Sequence, residues 1–288
     1  MIAIIDSGST KADWRVIRDN GEQFNLNTVG YNPFIVTTDQ IEKGLLGELD
    51  NDLDRDNFQE IYFYGAGCSD DSRCEMVAIA LRRIFKNAKI VVDHDTIASA
   101  RACCGHEAGI ACIIGTGSNT CLYDGEKISD HITNLGYLVG DEGSGGHLGK
   151  QLLRAYFYRE LPDEIKAAFE EKYPMGERAI LNQLYNNDKP NVYLASFAKF
   201  ISDHKDHFYI QSMVSDCFDE FIKRHVRKYE GHTSLPINFV GSVAYHFKNI
   251  LQICLQERGM KMGIVLKKPI DNLVNYHIQG ATFVPVES

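Results

Sequence analysis

One pattern occurs twice in this sequence, about a hundred residues apart: an apolar run followed directly by a turn of small and polar residues. The first copy is residues 1–5 before the turn at 6–11, and the second is residues 110–114 before the turn at 115–119. A short run that is apolar throughout is typical of a strand covered on both faces. A β-prone segment follows each turn. The repetition predicts an α/β protein of two related domains with a cleft between them.

Periodicity and turn residues extend this outline along the chain. Predicted strands are residues 1–5, 12–17, 23–29, 60–65, 89–92, 110–114, 119–123, 126–131 and 236–240. Predicted helices are residues 38–49, 72–85, 95–104 and 242–258. Between 145 and 229 the pattern is helical, with breaks near three prolines. We expect a first domain of residues 1–107, completed by residues 272–288, and a second domain of residues 108–271.

Composition limits the partners that such a chain can have. With 44% hydrophobic and 24% charged residues, the chain is expected to be soluble and globular. Its formal net charge of -9 disfavours nucleic acid as the main partner, because phosphate backbones are bound by Lys and Arg. No apolar stretch approaches the roughly 20 residues of a membrane span, and the apolar start is shorter than the ~7–15 residues of a signal-peptide core. We therefore expect a cytoplasmic protein with no membrane contact.

The first turn, at residues 6–11, reads Asp-Ser-Gly-Ser-Thr-Lys. Small residues at the end of a buried strand let several backbone N–H groups converge on one phosphate group, and Gly8 permits a close backbone approach. Asp6 would be suited to hold Mg²⁺ through water, because magnesium prefers oxygen ligands and keeps its hydration shell. The alternative is an ordinary hairpin turn in which Asp6 is a cap. This segment alone leaves both interpretations open.

The second turn, at residues 115–119, reads Gly-Thr-Gly-Ser-Asn and matches neither a P-loop nor a Rossmann fingerprint. Alone it is a weak signal, but together with the first turn it predicts a phosphate clamp with one half in each domain. A third turn, Gly-Ser at residues 241–242, joins a predicted strand to a helix. Such a turn can bring a helix N-terminus to a ligand, or it can be a routine connection.

Two further features carry acidic residues. Residues 140–146 hold four glycines, with Asp141 and Glu142 between them. Glycine density costs backbone entropy, so it indicates a hinge or a close approach to a ligand rather than a plain surface loop. Asp95 lies just past a predicted strand, where a carboxylate could accept the proton of an attacking hydroxyl. A helix N-cap is the other interpretation of Asp95.

Taken in order, these segments resemble the acetate and sugar kinase, Hsp70 and actin superfamily, and more narrowly the N-acetylglucosamine kinase and BadF/BadG/BcrA/BcrD ATPase family. The run at 6–11 is similar to the family's first phosphate motif, and Gly-Ser at 241–242 falls where the adenosine motif belongs. The runs at 115–119 and 140–144 are similar to the pattern of N-acetylglucosamine kinases. The resemblance implies two ribonuclease H-like (actin-like ATPase) domains. It also implies ATP-dependent phosphorylation of an amino sugar, N-acetylglucosamine at its 6-hydroxyl being the first choice.

By this resemblance each candidate residue receives a role. Asp95 would be the catalytic base, and Asn32, Thr116 and Asp141 would bind the sugar. The residues expected to bind the cofactors, ATP and Mg²⁺, are Asp6, Gly8, Ser9, Thr10, Lys11, Gly115, Gly117, Gly241 and Ser242, with Asp6 at the metal. Mammalian members carry Trp-Gly-His where residues 135–137 read Leu-Gly-Tyr, so glucosamine or another hexose stays an alternative substrate. The family also makes a homodimer plausible.

Two other functions remain possible at this point. One is an ATP-driven activator of a 2-hydroxyacyl-CoA dehydratase, which carries an iron–sulfur cluster on Cys ligands, and the adjacent Cys103 and Cys104 keep this idea open. Those activators resemble one another in a Cys-Ala-Ala-Gly-Thr-Gly run, where this chain has Ile-Ile-Gly-Thr-Gly-Ser. The other is a nucleotide-switched scaffold such as actin, for which the chain lacks the length and the inserts. No cysteine pair has CxxC spacing, so we expect free thiols.

Overall fold

The computed structural model describes residues 1–8, 11–50 and 52–278. The chain divides into two compact units. The first unit is Met1–His106 together with the residues from Lys268 onward, and the second unit is Glu107–Lys267. Residues 279–288, which we expected to complete the first domain, lie outside the described residues. That each unit is an independent domain stays a prediction.

The first unit is a five-stranded sheet with helices on both faces. Its elements are β1 Ile2–Ser7, β2 Ala12–Ile17, β3 Gln23–Thr28, α1 Thr38–Glu48, β4 Glu60–Gly65, α2 Asp71–Ile84, β5 Lys89–His94, α3 Asp95–Cys104 and α13 Ile270–Ile278. The strand order is β3-β2-β1-β4-β5. β1 pairs antiparallel with β2 and parallel with β4, so the ends of β1, β4 and β5 reach the same edge of the sheet.

Alternation along these strands decides which helices cover each face. Ile61 and Phe63 of β4 point into a core that α1 and α2 complete, and Ile41 and Leu45 of α1, four residues apart, are buried there. The side chains between them on β4 face the other way, where Tyr64 meets His277 of α13. Helix α13 also packs on α3, β1 and β2. The chain therefore returns from the second unit to close the face of the sheet on which Asp6 lies.

The second unit repeats the same sheet. Its elements are β6 Gly109–Ile114, β7 Ser118–Tyr123, β8 Ile128–His131, α4 Gly136–Val139, α5 Gly145–Phe157, α6 Asp163–Lys172, α7 Gly176–Asn186, α8 Pro190–Ser196, α9 Ala198–Asp203, α10 Phe208–Arg224, β9 Pro236–Val240, α11 Ser242–His246, α12 Lys248–Gln256 and β10 Lys261–Leu266. The strand order is β8-β7-β6-β9-β10, with β6 antiparallel to β7 and parallel to β9. Strand for strand, this is the topology of the first unit.

The two units differ in what lies between the third and fourth strands. The first unit has one long helix there, α1, and the second has the seven helices α4–α10. These helices bury an aromatic cluster in which the Phe169 and Phe200 rings meet edge to face at 5.5 Å, with Phe197 stacked beside them. The buried residues of the insertion and those of the sheet form one continuous core.

Seven of the eight cysteines are buried and the eighth, Cys74, is half-buried; all are free thiols. In the part of the chain that the structure describes, none of the helices combines the length and the apolar character that crossing a bilayer requires.

Candidate functional site

The turn after β1 is built by glycine contacts. The Gly8 N–H donates to the Lys11 carbonyl at 3.0 Å, which closes the turn. Gly30 lies directly on it, and a Cβ at Gly30 would overlap the Gly8 carbonyl oxygen. Glycine is therefore required for the loop after β3 to touch the turn. Ser9 and Thr10, both expected to bind phosphate, lie outside the described residues.

Asn32 is held beside this turn. Its side-chain oxygen accepts the Phe34 N–H at 3.0 Å. Gly67, with a φ of 85°, lies so close that a Cβ there would overlap the Asn32 amide. The loop carrying Gly67 is joined to the end of β1 by the Ala66 N–H, which donates to the Ser7 carbonyl at 2.8 Å. The ends of β1 and β4 thus bring the first turn and Asn32 together.

Three carboxylates meet at the same edge. Asp6 and Asp13 are cross-strand partners in the β1–β2 register, and Asp95 is the first residue of α3. Burial, followed by the negative charges of Asp95 and Asp13, raises the pKa of Asp6 to about 7, against a smaller effect of Lys268. Burial also raises the pKa of Asp95, against His94 and hydrogen bonds from Thr96. A raised pKa makes Asp95 a better proton acceptor than an ordinary carboxylate.

Asp95 is not the N-cap residue of its helix. His94 holds the N-cap position of α3, and no side chain makes a capping hydrogen bond there. The Asp95 carboxylate instead accepts a hydrogen bond from the Thr96 hydroxyl at 3.3 Å. Asp95 is thus the first residue of α3 and not its N-cap, but its carboxylate also accepts hydrogen bonds from backbone N–H groups at the start of α3. Its catalytic role stays a prediction.

The residues near Asp6 fit a magnesium ion bound mainly through water. The buried Asp6 carboxylate is destabilised by the charges of Asp95 and Asp13, and a divalent cation beside it would offset this repulsion. Among residues 1–8, 11–50 and 52–278, no group of three or more His, Cys, Asp or Glu side chains is arranged to hold a metal directly. Mg²⁺ does not need such a cage, because it usually keeps several waters and adds one or two carboxylates and substrate phosphates.

The turn after β6 is clamped by the start of α5. The Gly145 N–H donates to the Gly115 carbonyl at 2.8 Å, and the Gly146 N–H donates to the Thr116 carbonyl at 3.1 Å. Within the turn, the Gly115 N–H donates to the Gly117 carbonyl at 2.9 Å. The Thr116 side chain is exposed. Two segments that the sequence analysis identified separately, 115–119 and 140–146, therefore form one structure.

Asp141 is fixed against this turn. One of its carboxylate oxygens accepts the Ser118 N–H at 3.0 Å and the Asn134 side-chain amide at 3.1 Å. A Cβ at Gly117 would lie 2.8 Å from the same oxygen. Asp141 has a φ of 58°, an uncommon backbone conformation for a residue other than glycine, and such conformations cluster at functional sites. One carboxylate oxygen is thus occupied by fixed donors.

The next residue, Glu142, ties the loop to the C-terminal end of α10. Its carboxylate accepts a hydrogen bond from His225 Nε2 at 3.0 Å and forms an ion pair with Arg224 at 3.4 Å. Burial by itself would raise the pKa of Glu142, but the His225 hydrogen bond and the charges of His225 and Arg224 outweigh it and lower the pKa. The two acids of the Gly-Asp-Glu-Gly-Ser run therefore have different roles, since Glu142 is engaged by α10 and Asp141 by the turn.

Gly241 and Ser242 lie beside the second turn and open onto a cavity. Gly241 has a φ of 128°, and a Cβ there would overlap the Ile114 carbonyl, so the segment lies flat against the end of β6. The adjacent cavity of about 530 Å³ is lined by Ala195, Ser196, Ala198, Lys199, Ser202, Asp203, Ser242, Val243, His246 and Phe247. Burial, and then the charges of Lys267, Lys205 and Lys199, lower the pKa of His246. The surroundings of the cavity are therefore basic.

Each unit gathers its own candidate residues. The first unit brings together Asp6, Gly8, Lys11, Asn32 and Asp95, and the second brings together Gly115, Thr116, Gly117, Asp141, Gly241 and Ser242. That the two sets bind the same ligand stays a prediction. Sequence reasoning missed Asp13, Asn134 and Lys268. Asp13 could have been found from the β1–β2 pairing, which sets it opposite Asp6, whereas no local signal identifies the other two.

Two units with the same five-strand order, each carrying a glycine-lined turn after its central strand, define the actin-like ATPase fold. The comparisons with solved structures agree. A protein of Porphyromonas gingivalis described as a "putative N-acetylglucosamine kinase" has 37% identity and a TM-score of 0.91, over 96% of this chain and 98% of that one. This chain belongs to the same family, the N-acetylglucosamine kinase and BadF/BadG/BcrA/BcrD ATPase family.

Two more distant structures share the fold. A Chromobacterium violaceum protein with the same description has 14% identity and a TM-score of 0.72, over 96% of this chain and 97% of that one. A ROK family glucokinase of Streptomyces griseus, solved with glucose and AMPPNP, has 15% identity and a TM-score of 0.53, over 97% of each chain. No family model and no curated protein sequence matches the chain.

Proposed function

We propose that this protein is an ATP-dependent sugar kinase that transfers the γ-phosphoryl group of ATP to the 6-hydroxyl of N-acetylglucosamine, with Asp95 as the base. The observation that carries the proposal is the meeting of Asp95, Asp6 and the Asn32 loop at one sheet edge of the first unit. Family membership, at 37% identity over nearly the whole chain, supports the reaction class.

Proton transfer is the task assigned to Asp95. An alcohol is a weak nucleophile, and its proton must be accepted or oriented as the phosphoryl group is transferred. The carboxylate of Asp95 accepts a hydrogen bond from the Thr96 hydroxyl, and within residues 1–8, 11–50 and 52–278 it forms no ion pair with Lys or Arg. Its raised pKa favours accepting a proton. Asn32, fixed by Gly67, would orient the sugar in the first unit.

Sugar recognition in the second unit would use Asp141 and Thr116. Only one oxygen of Asp141 is taken by the Ser118 and Asn134 donors, and the whole carboxylate is held rigidly against Gly117. A carboxylate oxygen is a strong acceptor for sugar hydroxyls. A fixed acceptor of this kind discriminates against substrates that lack the matching hydroxyl or amide, because the buried carboxylate would then be unpaired.

The nucleotide would be held by backbone groups more than by basic side chains. Gly8 and Lys11 in the first unit, and Gly115 and Gly117 in the second, form turns that suit phosphate oxygens. Gly241 and Ser242, with the adjacent cavity, would take the adenosine. Asp6 would hold Mg²⁺, which neutralises phosphate charge during phosphoryl transfer.

The test is an ADP-release assay of the purified protein with Mg·ATP and a panel of sugars: N-acetylglucosamine, glucosamine, N-acetylmannosamine and glucose. We expect the highest kcat/KM for N-acetylglucosamine, with the product identified as the 6-phosphate by NMR. Phosphorylation of glucosamine or glucose in preference would correct the substrate and keep the reaction class. Release of ADP at one rate with and without every sugar would overturn the proposal.

The burial of Cys103 and Cys104 disfavours the dehydratase-activator alternative. Both side chains are buried, at 3% and 7% exposure, and the Cys103 thiol hydrogen-bonds to the Ser99 carbonyl within α3. A cluster shared between two subunits needs cysteines that face a partner. Measurement of iron in protein purified without oxygen would test this alternative directly.

A further inference from the structure

The segment that returns from the second unit brings a lysine to the first turn. Lys268 Nζ lies 2.7 Å from one carboxylate oxygen of Asp13, and Lys11 Nζ lies 2.9 Å from the other. Asp13 is thus bracketed by two ammonium groups, one close in sequence and one 255 residues away. No motif in the sequence points to Lys268, and it is the packing of α13, just after this lysine, that brings it there.

This arrangement is more than a surface ion pair. The Asp13 side chain is 14% exposed, and Asp13 is the cross-strand partner of Asp6, so two carboxylates face each other beside the phosphate turn. Like charges directly opposite on neighbouring strands repel each other. Asp95 adds a third negative charge at the same edge. A triphosphate approaching this edge would meet three carboxylates, and Lys11 and Lys268 are the cations paired with Asp13 there.

We propose that Lys268 is a positioning residue for nucleotide binding: by neutralising Asp13 it lets the phosphates of Mg·ATP approach the turn beside Asp6. This inference rests on the proposed function, because it needs ATP to bind at that turn. Both lysine side chains are more than half exposed, at 54% and 58%, and an ammonium group has three N–H donors. When one N–H of a lysine donates to Asp13, the other two can therefore donate to solvent or to a ligand.

A purely structural role is the competing explanation, and the chain offers a matched control. Arg15, two residues after Asp13 on the same strand, pairs with Asp271 of the same returning segment at 2.8 Å. This ion pair also joins β2 to the start of α13, but Arg15 is not among the groups that act on the pKa of Asp6. If Lys268 serves only to dock α13, loss of Arg15 should have the same consequences as loss of Lys268.

The experiment measures binding of Mg·AMPPNP by calorimetry, together with kcat, both KM values and thermal unfolding. The variants are Lys268→Met, Lys268→Arg, Arg15→Met and the double variant Asp13→Asn with Lys268→Met. We expect Lys268→Met to weaken nucleotide binding about 10-fold, because Asp13 then keeps only Lys11 as a neutralising cation and the edge carries one more net negative charge. Its sugar KM should not change. Lys268→Arg and Arg15→Met should bind nucleotide like the wild type.

The double variant separates charge from shape. Removing the Asp13 charge as well should restore nucleotide binding to within about 3-fold of the wild type, because the charge that Lys268 offsets is then absent and the net charge of the edge is that of the wild type. The inference is overturned if Lys268→Met binds the nucleotide normally, if Arg15→Met is equally impaired, or if the double variant is as weak as Lys268→Met. A wild type that binds Mg·AMPPNP but phosphorylates no sugar would refute the proposed function and leave this inference standing.

Discussion

The turn after β1 and the turn after β6 occupy the same position in two copies of one topology, yet their chemistry differs. The first is surrounded by carboxylates, with Asp13 opposite Asp6 and Asp95 nearby. The second is surrounded by backbone: the start of α5 donates to its carbonyls, and Gly241 lies flat on the end of β6. The first turn thus has the groups for metal and proton chemistry, and the second has those for shape recognition.

The difference teaches that a repeated fold supplies positions and not roles. Because the carboxyl ends of parallel strands meet at one edge, each unit offers a ligand site there. Which residues stand at that edge is decided separately in each unit. The second unit has one acid at its turn, Asp141, and holds it with two N–H donors. The consequences of this difference between the two turns can be tested separately in each unit.

The largest effect should come from the base. Asp95→Asn removes the proton acceptor, and we expect kcat to fall about 10²–10⁴-fold with little change in the KM for ATP. Steady-state kinetics with N-acetylglucosamine would measure this. Asp93→Asn is the control, because Asp93 lies two residues earlier and pairs with Arg101 at 3.4 Å; its kcat should stay within about 3-fold of the wild type. Normal turnover by Asp95→Asn would remove that residue from the mechanism.

Gly30→Ala should damage the first turn through a backbone clash. The new methyl group would overlap the Gly8 carbonyl, which cannot rotate away as a side chain can. We expect a loss of about 1–3 kcal/mol in the free energy of unfolding and a raised KM for ATP. Gly47→Ala is the control, because no atom lies within 4 Å of a Cβ there. Unfolding in urea would measure both, and unchanged stability of Gly30→Ala would contradict the packing of loop on turn.

Gly117→Ala tests the second turn with the same added methyl group. Here the nearest neighbour, at 2.8 Å, is the Asp141 carboxylate, which can turn aside. We therefore expect a smaller loss of stability than in Gly30→Ala, from the Ser118 and Asn134 hydrogen bonds that Asp141 would weaken. The sugar KM should rise about 10-fold, equivalent to about 1.4 kcal/mol, as the carboxylate leaves its fixed position. If ATP binding suffered instead and sugar binding did not, Asp141 would have no part in sugar recognition.

His277 of the first unit and Glu142 of the second should lose their contributions to stability in different pH ranges. His277 accepts from or donates to the Tyr64 hydroxyl at 2.7 Å, and burial, with the charge of Arg101, lowers its pKa to about 4. The unfolded chain takes up a proton near pH 6.5 that the native histidine resists, so the contribution of His277 to stability is complete above pH 6.5 and declines toward pH 4. Discounted for its partial exposure, the loss should be about 1–2 kcal/mol.

The contribution of Glu142 should respond only at lower pH. The pKa of Glu142 is lowered in the fold, so its contribution is complete above its ordinary value of 4.5 and is lost as pH falls through the lower native value. Urea unfolding between pH 4 and 8 would test the contrast. We expect His277→Gln to flatten the decline between pH 6.5 and 4.5, and Glu142→Gln to leave that part of the curve as it is. If the free energy of unfolding of His277→Gln declined with pH as steeply as that of the wild type, the decline would belong to other groups.

Local patterns in the sequence predicted most elements of the first unit. The predicted strand at 12–17 is β2 Ala12–Ile17, and the predicted helix at 95–104 is α3 Asp95–Cys104. Apolar alternation and helical spacing are properties of a few neighbouring residues, so they can be read without the fold. The predicted helix at 242–258 is wrong in its continuity, because Phe247 is buried between α11 and α12 and breaks the helix.

Strand β10 was missed for a reason that lies outside its own sequence. Gly263 interrupts the apolar run, and the β9–β10 register shifts between Met262 and Val265. The strand is held there by Asn238 of β9, whose side-chain oxygen accepts the Ile264 N–H at 2.8 Å. A Cβ at Gly263 would overlap the same amide. A strand that depends on a partner's side chain leaves little periodic signal of its own.

The sequence by itself determined the two glycine-lined strand ends, the small-residue helix after β5, and the presence of Asp6, Asp95 and Asp141 in or beside turns, because turn chemistry and periodicity act over a few residues. The tertiary structure alone decided which of these segments touch. It set α5 on the Gly115 turn, Gly30 on Gly8, and Lys268 on Asp13 across 255 residues. Contacts between distant segments depend on strand order and helix packing, which no local pattern encodes.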